Sequence, residues 1–212
     1  MTEDRIKTFG RPGSERVFIQ MVDDHDLDVI HEEVRYLEEL NGDDDWMIVT
    51  VHVNDWNTDL TPWEAPPVFG NTGFGSGAGE TLKYLLKDVI PEYKEKKLYI
   101  AGYSLAGLFA LWASYETDVF MGSVCASPSV WYPGWVEYAE KNIAKTDRIY
   151  LSLGDKESKT RNQIMSKVKE NIEKQHEILK GSGISCTLEW NPGNHFKDPA
   201  LRIARGMAWI LK

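Results

Sequence analysis

The sequence has few cysteines, a deficit of positive charge and no long apolar run. Lysine and arginine number 24 against 33 aspartates and glutamates, which gives the 212 residues a net charge of -9. Nucleic acids are bound through basic surfaces that displace phosphate counterions, so this chain is not expected to bind them. A helix that spans a bilayer needs about 20 mostly apolar residues, and no run in the sequence approaches that length. We therefore expect neither nucleic acid nor a membrane as a partner.

The two cysteines, Cys125 and Cys186, both fall within apolar, strand-like runs. A disulfide framework or a metal site needs more cysteines or histidines at short spacing, so we expect two buried thiols, no metal and no cofactor. The first residues, MTEDRIKTFGRPGSERVF, lack the apolar core of a signal peptide. These features together favour a cytoplasmic location.

Short β-rich runs alternate with helical runs along the chain. Strands are predicted at residues 16–22, 45–53, 97–103, 122–129, 147–154 and 185–193, and helices at residues 26–40, 80–93, 105–115, 160–181 and 199–212. Continuous apolar strands separated by helices are typical of a parallel sheet that is covered on both faces. Since there is no internal repeat and no low-complexity linker, residues 1–212 are expected to form a single domain. The predicted fold is three-layer α/β/α, with a mostly parallel sheet of about six strands.

A polar loop of 26 residues, 54–79, follows the second predicted strand. Loops of this length without secondary structure are usually functional or disordered. Trp56, Trp63 and Phe69 lie in it, and a disordered segment seldom contains so many aromatic residues. We expect a packed loop, with no helix or strand of its own, near a functional site.

A serine stands where the third predicted strand turns into the next helix, in GYSLAG at residues 102–107. Ser104 has Gly102 two positions before it and Gly107 three after it, and Ala106 replaces the second glycine of the usual nucleophile elbow. A sharp strand-to-helix turn exposes a serine hydroxyl and directs the next backbone N–H at a developing oxyanion. A serine at this position also commonly caps the helix, so the motif alone leaves nucleophile and cap equally open.

A serine nucleophile needs a histidine as its base, and the chain contains five. His195 is favoured because it follows the last strand, in NPGNHF, and open α/β sheets bind ligands beyond the carboxyl ends of their strands. The order nucleophile, acid, histidine is also the chain order of the α/β architecture that carries such elbows. His25, in VDDHD after the first strand, is a further candidate to line the site.

The acid of such a set is expected after the penultimate strand. RIYLSLGDKESK ends that strand at Gly154 and immediately offers Asp155 and Glu157. Either carboxylate would orient the imidazole and stabilise its protonated form. The residues by themselves leave both open.

Two segments, GYSLAGLFALWA and FMGSVCASPSVWY, resemble the esterase branch of the α/β-hydrolase superfamily. This branch includes enterochelin esterase-type enzymes, feruloyl esterases and S-formylglutathione hydrolases. Its members have a G-x-S-x-G-G-L-F-A elbow and an S-P-S-x-W segment after the next strand, and DLTPW at residues 59–63 is also similar. The resemblance covers nearly the whole chain from Arg16. It implies an α/β-hydrolase fold with a reduced N-terminal region and no large lid between Ser129 and Asp147.

The resemblance also implies roles for particular residues. Ser104 would be the nucleophile and His195 the general base. Glu157, three residues after the glycine that ends the strand, would be the acid, with Asp155 as the alternative. No metal ion is implied.

The oxyanion hole and the substrate pocket follow from the same resemblance. Leu105 would supply the first oxyanion N–H. The second would come from Asp24, where relatives often have DG and this chain has Asp23–Asp24. Because no lid is present, aromatic residues would have to frame the pocket. With His25, the expected pocket residues are Trp56, Trp63, Trp131, Tyr132 and Trp135.

The function implied is hydrolysis of a small-molecule carboxylic ester through an acyl-enzyme. Two alternatives stay open at this point: acyl transfer to an alcohol or sugar, and ligand binding by a hydrolase fold without catalysis. The sequence names neither the ester nor the oligomeric state.

Overall fold

The computed structural model describes residues 5–212 and contains a seven-stranded sheet. Its strands are β1 (Ile6–Gly10), β2 (Arg16–Val22), β3 (Met47–His52), β4 (Lys97–Tyr103), β5 (Gly122–Ala126), β6 (Arg148–Gly154) and β7 (Ser185–Asn191). Their order across the sheet is β1-β3-β2-β4-β5-β6-β7. Strands β2 to β7 are parallel to one another, and β1 runs antiparallel to β3 at the edge.

Helices cover both faces of the sheet. They are α1 (Asp24–Asn41), α2 (Trp56–Asp59), α3 (Ala78–Tyr84), α4 (Ser104–Glu116), α5 (Trp135–Lys141), α6 (Val168–Gly181) and α7 (Pro199–Leu211). Helices α1 and α7 pack on one face, and α3, α4, α5 and α6 pack on the other. The core therefore consists of two apolar layers, one on each side of the sheet. None of the helices in the described part of the chain is both long and apolar enough to cross a membrane.

The predicted three-layer architecture is confirmed, and all six predicted strands are present. The expectation of about six strands omitted β1. Its five residues are exposed or half-buried, because an edge strand has little of its surface against the core. Consequently IKTFG has no apolar run that marks a strand. The two cysteines also differ in burial: Cys125 in β5 is buried, whereas Cys186 in β7 is only partly so, and both are free thiols.

Two predicted helices begin or continue differently from the expectation. The helix predicted at residues 80–93 is α3, followed by a π-helical turn at Leu85–Val89 and a 3₁₀ turn at Ile90–Tyr93. Pro91 accounts for this change, since proline lacks an N–H and its ring crowds the carbonyl four residues earlier. The helix predicted at residues 160–181 begins later: a 3₁₀ turn at Met165–Lys167 precedes α6, and before that turn the side chain of Asn162 accepts hydrogen bonds from the backbone N–H groups of Ile164 and Met165.

The loop at residues 54–79 is packed, as expected, but it has secondary structure of its own. Helix α2 lies in it, and Ala65 forms a β-bridge with Phe74. Leu60 and Thr61 are fully buried, and Phe74 is nearly so. Leu60 and Phe74 belong to the apolar core, so the loop is anchored to it.

Candidate active site

Ser104 lies in a sharp turn between β4 and α4. Its φ is +57°, a left-handed conformation that is costly for a residue with a side chain. A Cβ at Gly102 would lie 2.3 Å from the carbonyl carbon and oxygen of Ala106, so only glycine fits there. Ala106 itself is buried at the position where elbows usually have glycine. The residue before the helix is Tyr103, and its side chain makes no capping hydrogen bond. Ser104 therefore does not act as a helix cap.

Ser104, His195 and Glu157 form a hydrogen-bonded chain. Ser104 Oγ lies 3.0 Å from Nε2 of His195, and Nδ1 of the same ring lies 2.7 Å from Oε2 of Glu157. The three residues follow β4, β7 and β6, which all end at the same edge of the sheet. This geometry matches that of a nucleophile, a base and an orienting acid.

The carboxylate of Glu157 is almost completely buried, with 4% of its side chain exposed. Burial acts to raise the pKa of Glu157, but hydrogen bonds from His195, the Gly154 N–H and the Ser127 hydroxyl outweigh it. The pKa of this carboxyl therefore lies below its ordinary value. Oε1 also accepts a hydrogen bond from Nη1 of Arg202 at 2.7 Å. The carboxylate is thus held in its ionised form with both oxygens engaged.

Asp155 has a different role in the same loop. Its Oδ1 accepts a hydrogen bond of 2.7 Å from the backbone N–H of Gly193, two residues before His195. The sequence left both carboxylates open, and in the structure Glu157 contacts the imidazole whereas Asp155 supports the loop that carries it.

The two predicted oxyanion donors both lie at helix N-termini. Leu105 is the second residue of α4, and Asp24 is the first residue of α1. Backbone N–H groups in the first turn of a helix have no partner within the helix. Strands β2 and β4 are neighbours, paired through Gln20 and Ala101, so both helices begin at the same edge of the sheet. The carboxylate of Asp24 is exposed and contacts His52.

The two serines of the SPSVW segment lie against the same three residues. Ser127 donates a hydrogen bond of 2.8 Å to Oε1 of Glu157. The hydroxyl of Ser129 lies 3.4 Å from that of Ser104, and its backbone N–H donates to the carbonyl of Ser104 at 3.0 Å. The SPSVW segment therefore contacts the acid through Ser127 and the elbow through Ser129.

A cavity of about 470 Å³ opens at Ser104. Besides the three hydrogen-bonded residues and Ser127, it is lined by Trp56, Asn57, Phe69, Trp131, Met165, Val168 and Phe196. Two of the predicted pocket residues, Trp56 and Trp131, are thus lining residues. The wall is mostly apolar, and none of the described residues that line it is a lysine or an arginine.

The other expected pocket residues do not line this cavity. Trp63 and Tyr132 pack against each other and join two loops: the indole N–H of Trp63 donates to the carbonyl of Pro133, and the Tyr132 hydroxyl donates to the carbonyl of Trp63. His25 lies exposed on α1. Trp135 is fully buried in α5, where its indole N–H donates to Gln175. Trp63 and Tyr132 therefore join two loops, and Trp135 joins α5 to α6.

Several residues at the site had little or no signal in the sequence. Phe196 directly follows His195 and is 86% exposed, which no apolar pattern indicates. Met165 lies in the turn before α6 and Val168 is the first residue of that charged helix, far along the chain from Ser104. Arg202 falls among the buried residues of α7, and an arginine in an apolar helix was the one available sign of an internal partner.

The sheet order, the elbow after β4 and the histidine after β7 define the α/β-hydrolase fold. No family model matches the chain, and no curated protein matches it in sequence. Solved structures do match. An IroE-like serine hydrolase from Shewanella oneidensis has a TM-score of 0.78 at 15% identity, covering 97% of this chain and 75% of that one.

Two further structures are similar over nearly all of this chain. The enterobactin esterase FES from Shigella flexneri has a TM-score of 0.67 at 15% identity, covering 97% of this chain and 54% of that one. The carboxylesterase of Bacillus cereus has a TM-score of 0.63 at 14% identity, covering 98% and 94%. At these identities the similarity establishes the fold. The resemblance seen in the sequence is thereby confirmed at the level of the fold.

Proposed function

We propose that this chain is a serine hydrolase that cleaves carboxylic esters through an acyl-enzyme. The observation that carries the proposal is the chain of hydrogen bonds from Ser104 through His195 to Glu157, at 3.0 and 2.7 Å, at the mouth of an apolar cavity. The esterases and serine hydrolases among the similar structures support it.

In the first step, Ser104 Oγ attacks the ester carbonyl and its proton passes to Nε2 of His195. The ionised carboxylate of Glu157 accepts a hydrogen bond from Nδ1–H, which leaves Nε2 unprotonated as the acceptor and stabilises the imidazolium that forms. The imidazolium then donates its proton to the leaving alkoxide as the C–O bond breaks. An alcohol is released, and the acyl group stays on Ser104.

The negative charge on the carbonyl oxygen would be stabilised by backbone N–H groups. Leu105 and Asp24 are our candidates, because both lie in the first turn of a helix at the edge where Ser104 lies. The positive ends of the α1 and α4 dipoles would add to this stabilisation. In the second step, His195 removes a proton from water, the hydroxide attacks the acyl carbon, and the acid product leaves as Ser104 regains its proton.

The cavity wall favours a neutral, apolar acyl group. Trp56, Trp131 and Val168 offer apolar surface, and a charged group without a partner would be costly to bury there. Phe196 extends this surface outward at the rim beside His195. An anionic acyl group would also meet the carboxylate of Glu157 with no lysine or arginine among the described lining residues.

The test measures hydrolysis of p-nitrophenyl butyrate by the wild type and Ser104→Ala. We expect kcat to fall by about 10⁴-fold or more, because removal of the nucleophile disables the whole set. The free energy of unfolding should change by less than about 1 kcal/mol, since the side chain is small. The same assay with the mono-p-nitrophenyl ester of succinate, an anionic acyl group of equal length, should give a kcat/KM at least about tenfold lower.

Ser182→Ala is the matched control, because this exposed serine at the end of α6 contacts only the carbonyl of its own helix. It should keep wild-type activity and wild-type labelling by a fluorophosphonate probe, which reacts with activated serines. Normal hydrolysis by Ser104→Ala, or a wild type that neither labels nor hydrolyses any ester, would contradict the proposal.

A further inference from the structure

Arg202 is an unusually buried cation with partners in four separate segments. Only 1% of it is exposed. Its Nη1 donates to Glu157 Oε1 at 2.7 Å, to Ser127 Oγ at 2.9 Å and to the hydroxyl of Tyr103 at 3.1 Å, and its Nη2 donates to the carbonyl of Asn194 at 2.9 Å. Removing a guanidinium from water costs several kcal/mol, which the ion pair with a carboxylate offsets only at close range. If this position only had to fill space in the core, an apolar side chain would do so without this cost.

Arg202 contacts both the acid, Glu157, and the loop that carries the base, His195. Glu157 is held through Oε1 by Arg202 while its Oε2 contacts His195. On the base side, Arg202 binds the carbonyl of Asn194, and the Tyr103 hydroxyl that it contacts donates to the carbonyl of His195 at 2.6 Å. The backbone carbonyls of Asn194 and of His195 itself are therefore both held by hydrogen bonds.

The glycine at the end of β6 makes this arrangement possible. A Cβ at Gly154 would lie 2.5 Å from the carbonyl of Gly193, 2.9 Å from Oε1 of Glu157 and 3.0 Å from Nη2 of Arg202. The loops that carry the acid and the base thus approach each other across a glycine, with the guanidinium between them.

We propose that Arg202 is a positioning residue that fixes the acid and the base loop relative to each other, and that its charge sets the acidic limit of activity. This inference rests on the proposed function. A fixed positive charge beside Glu157 disfavours an additional proton on the Glu157–His195 pair. The pair therefore keeps an ionised carboxylate and a neutral, reactive imidazole down to lower pH than it would without the arginine.

Other titratable groups around the pair come from each neighbouring segment. From β4, Tyr103 has its pKa raised to about 12 by burial, so it stays neutral over the working range. From the loop after β6, Asp155 binds the Gly193 N–H, and from the loop before α7 the stem of Lys197 lies against the same glycine. Among these groups, Arg202 is the cation that contacts Glu157 directly.

The experiment compares Arg202→Gln with Arg202→Lys in the pH profile of kcat/KM. The glutamine removes the charge, so the acidic limb should move upward by about one pH unit or more. The lysine retains the charge, so its limb should stay close to that of the wild type. Neither glutamine nor lysine can bond to both Glu157 and the Asn194 carbonyl as the guanidinium does. Both variants should therefore lose about 10- to 100-fold in kcat, with KM little changed.

Arg205→Gln is the matched control. It lies one turn away on α7 and bonds to Glu189 and Asn191, away from the hydrogen-bonded set. It should leave the acidic limb and kcat unchanged. An acidic limb in Arg202→Gln that coincides with the wild type, or wild-type kcat in Arg202→Lys, would overturn the inference. If the glutamine variant does not fold, kcat and KM of the lysine variant decide it.

Failure of the proposed function can be told apart from failure of this inference. The imidazole of His195 is titrated by NMR in the wild type, Arg202→Gln and Arg202→Lys, which needs no turnover. An upward shift of its titration midpoint in the glutamine variant alone supports the electrostatic part even if no ester is hydrolysed. If the wild type hydrolyses esters but the midpoint is the same in all three proteins, the inference is wrong and the proposed function is unaffected.

Discussion

At the scale of single residues, two carboxylates separated by one position have different partners. Glu157 contacts the imidazole of His195 and is nearly buried, whereas Asp155 binds the backbone of the loop that carries this histidine. The ionised form of Glu157 is favoured by its hydrogen bonds, which lower its pKa despite burial. This environment keeps the carboxylate ionised beside the imidazole. We therefore propose the orienting role for Glu157.

The pair Glu157→Gln and Asp155→Asn tests this assignment. Loss of the charge that orients and stabilises the imidazolium should lower kcat by roughly 10²- to 10⁴-fold in Glu157→Gln. Asp155→Asn keeps an oxygen acceptor for the Gly193 N–H and should lose less than about tenfold. Both are measured with p-nitrophenyl butyrate, after thermal unfolding has verified that each is folded at the assay temperature. A larger loss in the asparagine variant would reverse the roles.

At the scale of the elements, the elbow depends on contact between the end of β4 and the first turn of α4. The left-handed Ser104 turns the chain so sharply that Gly102 lies directly against the backbone of Ala106. Neither partner can move as a flexible side chain would, because both are backbone. The strain at Ser104 is therefore maintained by the buried apolar helix that follows it.

Gly102→Ala should lower the free energy of unfolding by at least about 2 kcal/mol, because the added methyl group overlaps backbone atoms. Activity should fall as well, since the elbow must open to admit it. Gly79→Ala is the comparison: this glycine lies in α3 with no atom within 4 Å of the added Cβ. Alanine there should raise stability by about 0.5–1 kcal/mol. Urea unfolding measures both, and equal stability of the two variants would contradict the steric account.

At the scale of the whole molecule, α1 carries a buried carboxyl group into the interface with the sheet. Glu33 is 3% exposed, and its Oε2 accepts a hydrogen bond of 3.1 Å from Gln20 on β2. Burial, with a smaller contribution from Asp26, raises the pKa of Glu33 from 4.5 to about 8. The carboxyl is therefore neutral in the folded protein at pH 7. Oε1 of Glu33 and Oε1 of Gln20 have no hydrogen-bond partner in the described part of the chain.

This carboxyl group makes stability depend on pH. Between pH 4.5 and 8 the folded protein binds more protons at Glu33 than the unfolded chain does, so stability falls as the pH rises through this window. Glu33→Gln removes the titration and offers an amide N–H to Gln20, so at pH 8 it should be more stable than the wild type by on the order of 3 kcal/mol.

Urea unfolding at pH 5, 6.5 and 8 measures the effect. Glu32→Gln, an exposed neighbour on α1, is the control and should follow the wild-type curve. A Glu33→Gln curve parallel to that of the wild type would show that Glu33 does not titrate in this window.

The sequence by itself determined the fold class, the strands β2 to β7 and the order of the candidate residues: Ser104, then Asp155 or Glu157, then His195. These features are local, since apolar runs mark buried strands and small residues mark a tight turn. The edge strand β1 escaped prediction because its residues have little contact with the core. The sharp elbow was likewise readable, because its requirement for Gly102 lies within a few residues.

Only the tertiary structure decided which carboxylate meets His195, which aromatic residues line the cavity and what Arg202 contacts. Each of these depends on loops from different strands meeting at one edge of the sheet, at distances no spacing along the chain encodes. Trp56 and Trp131 line the cavity whereas Trp63 and Tyr132 join two loops, although all four are large aromatic residues. The same holds for Glu157 and Asp155, whose roles follow from which one reaches the base and which one holds its loop.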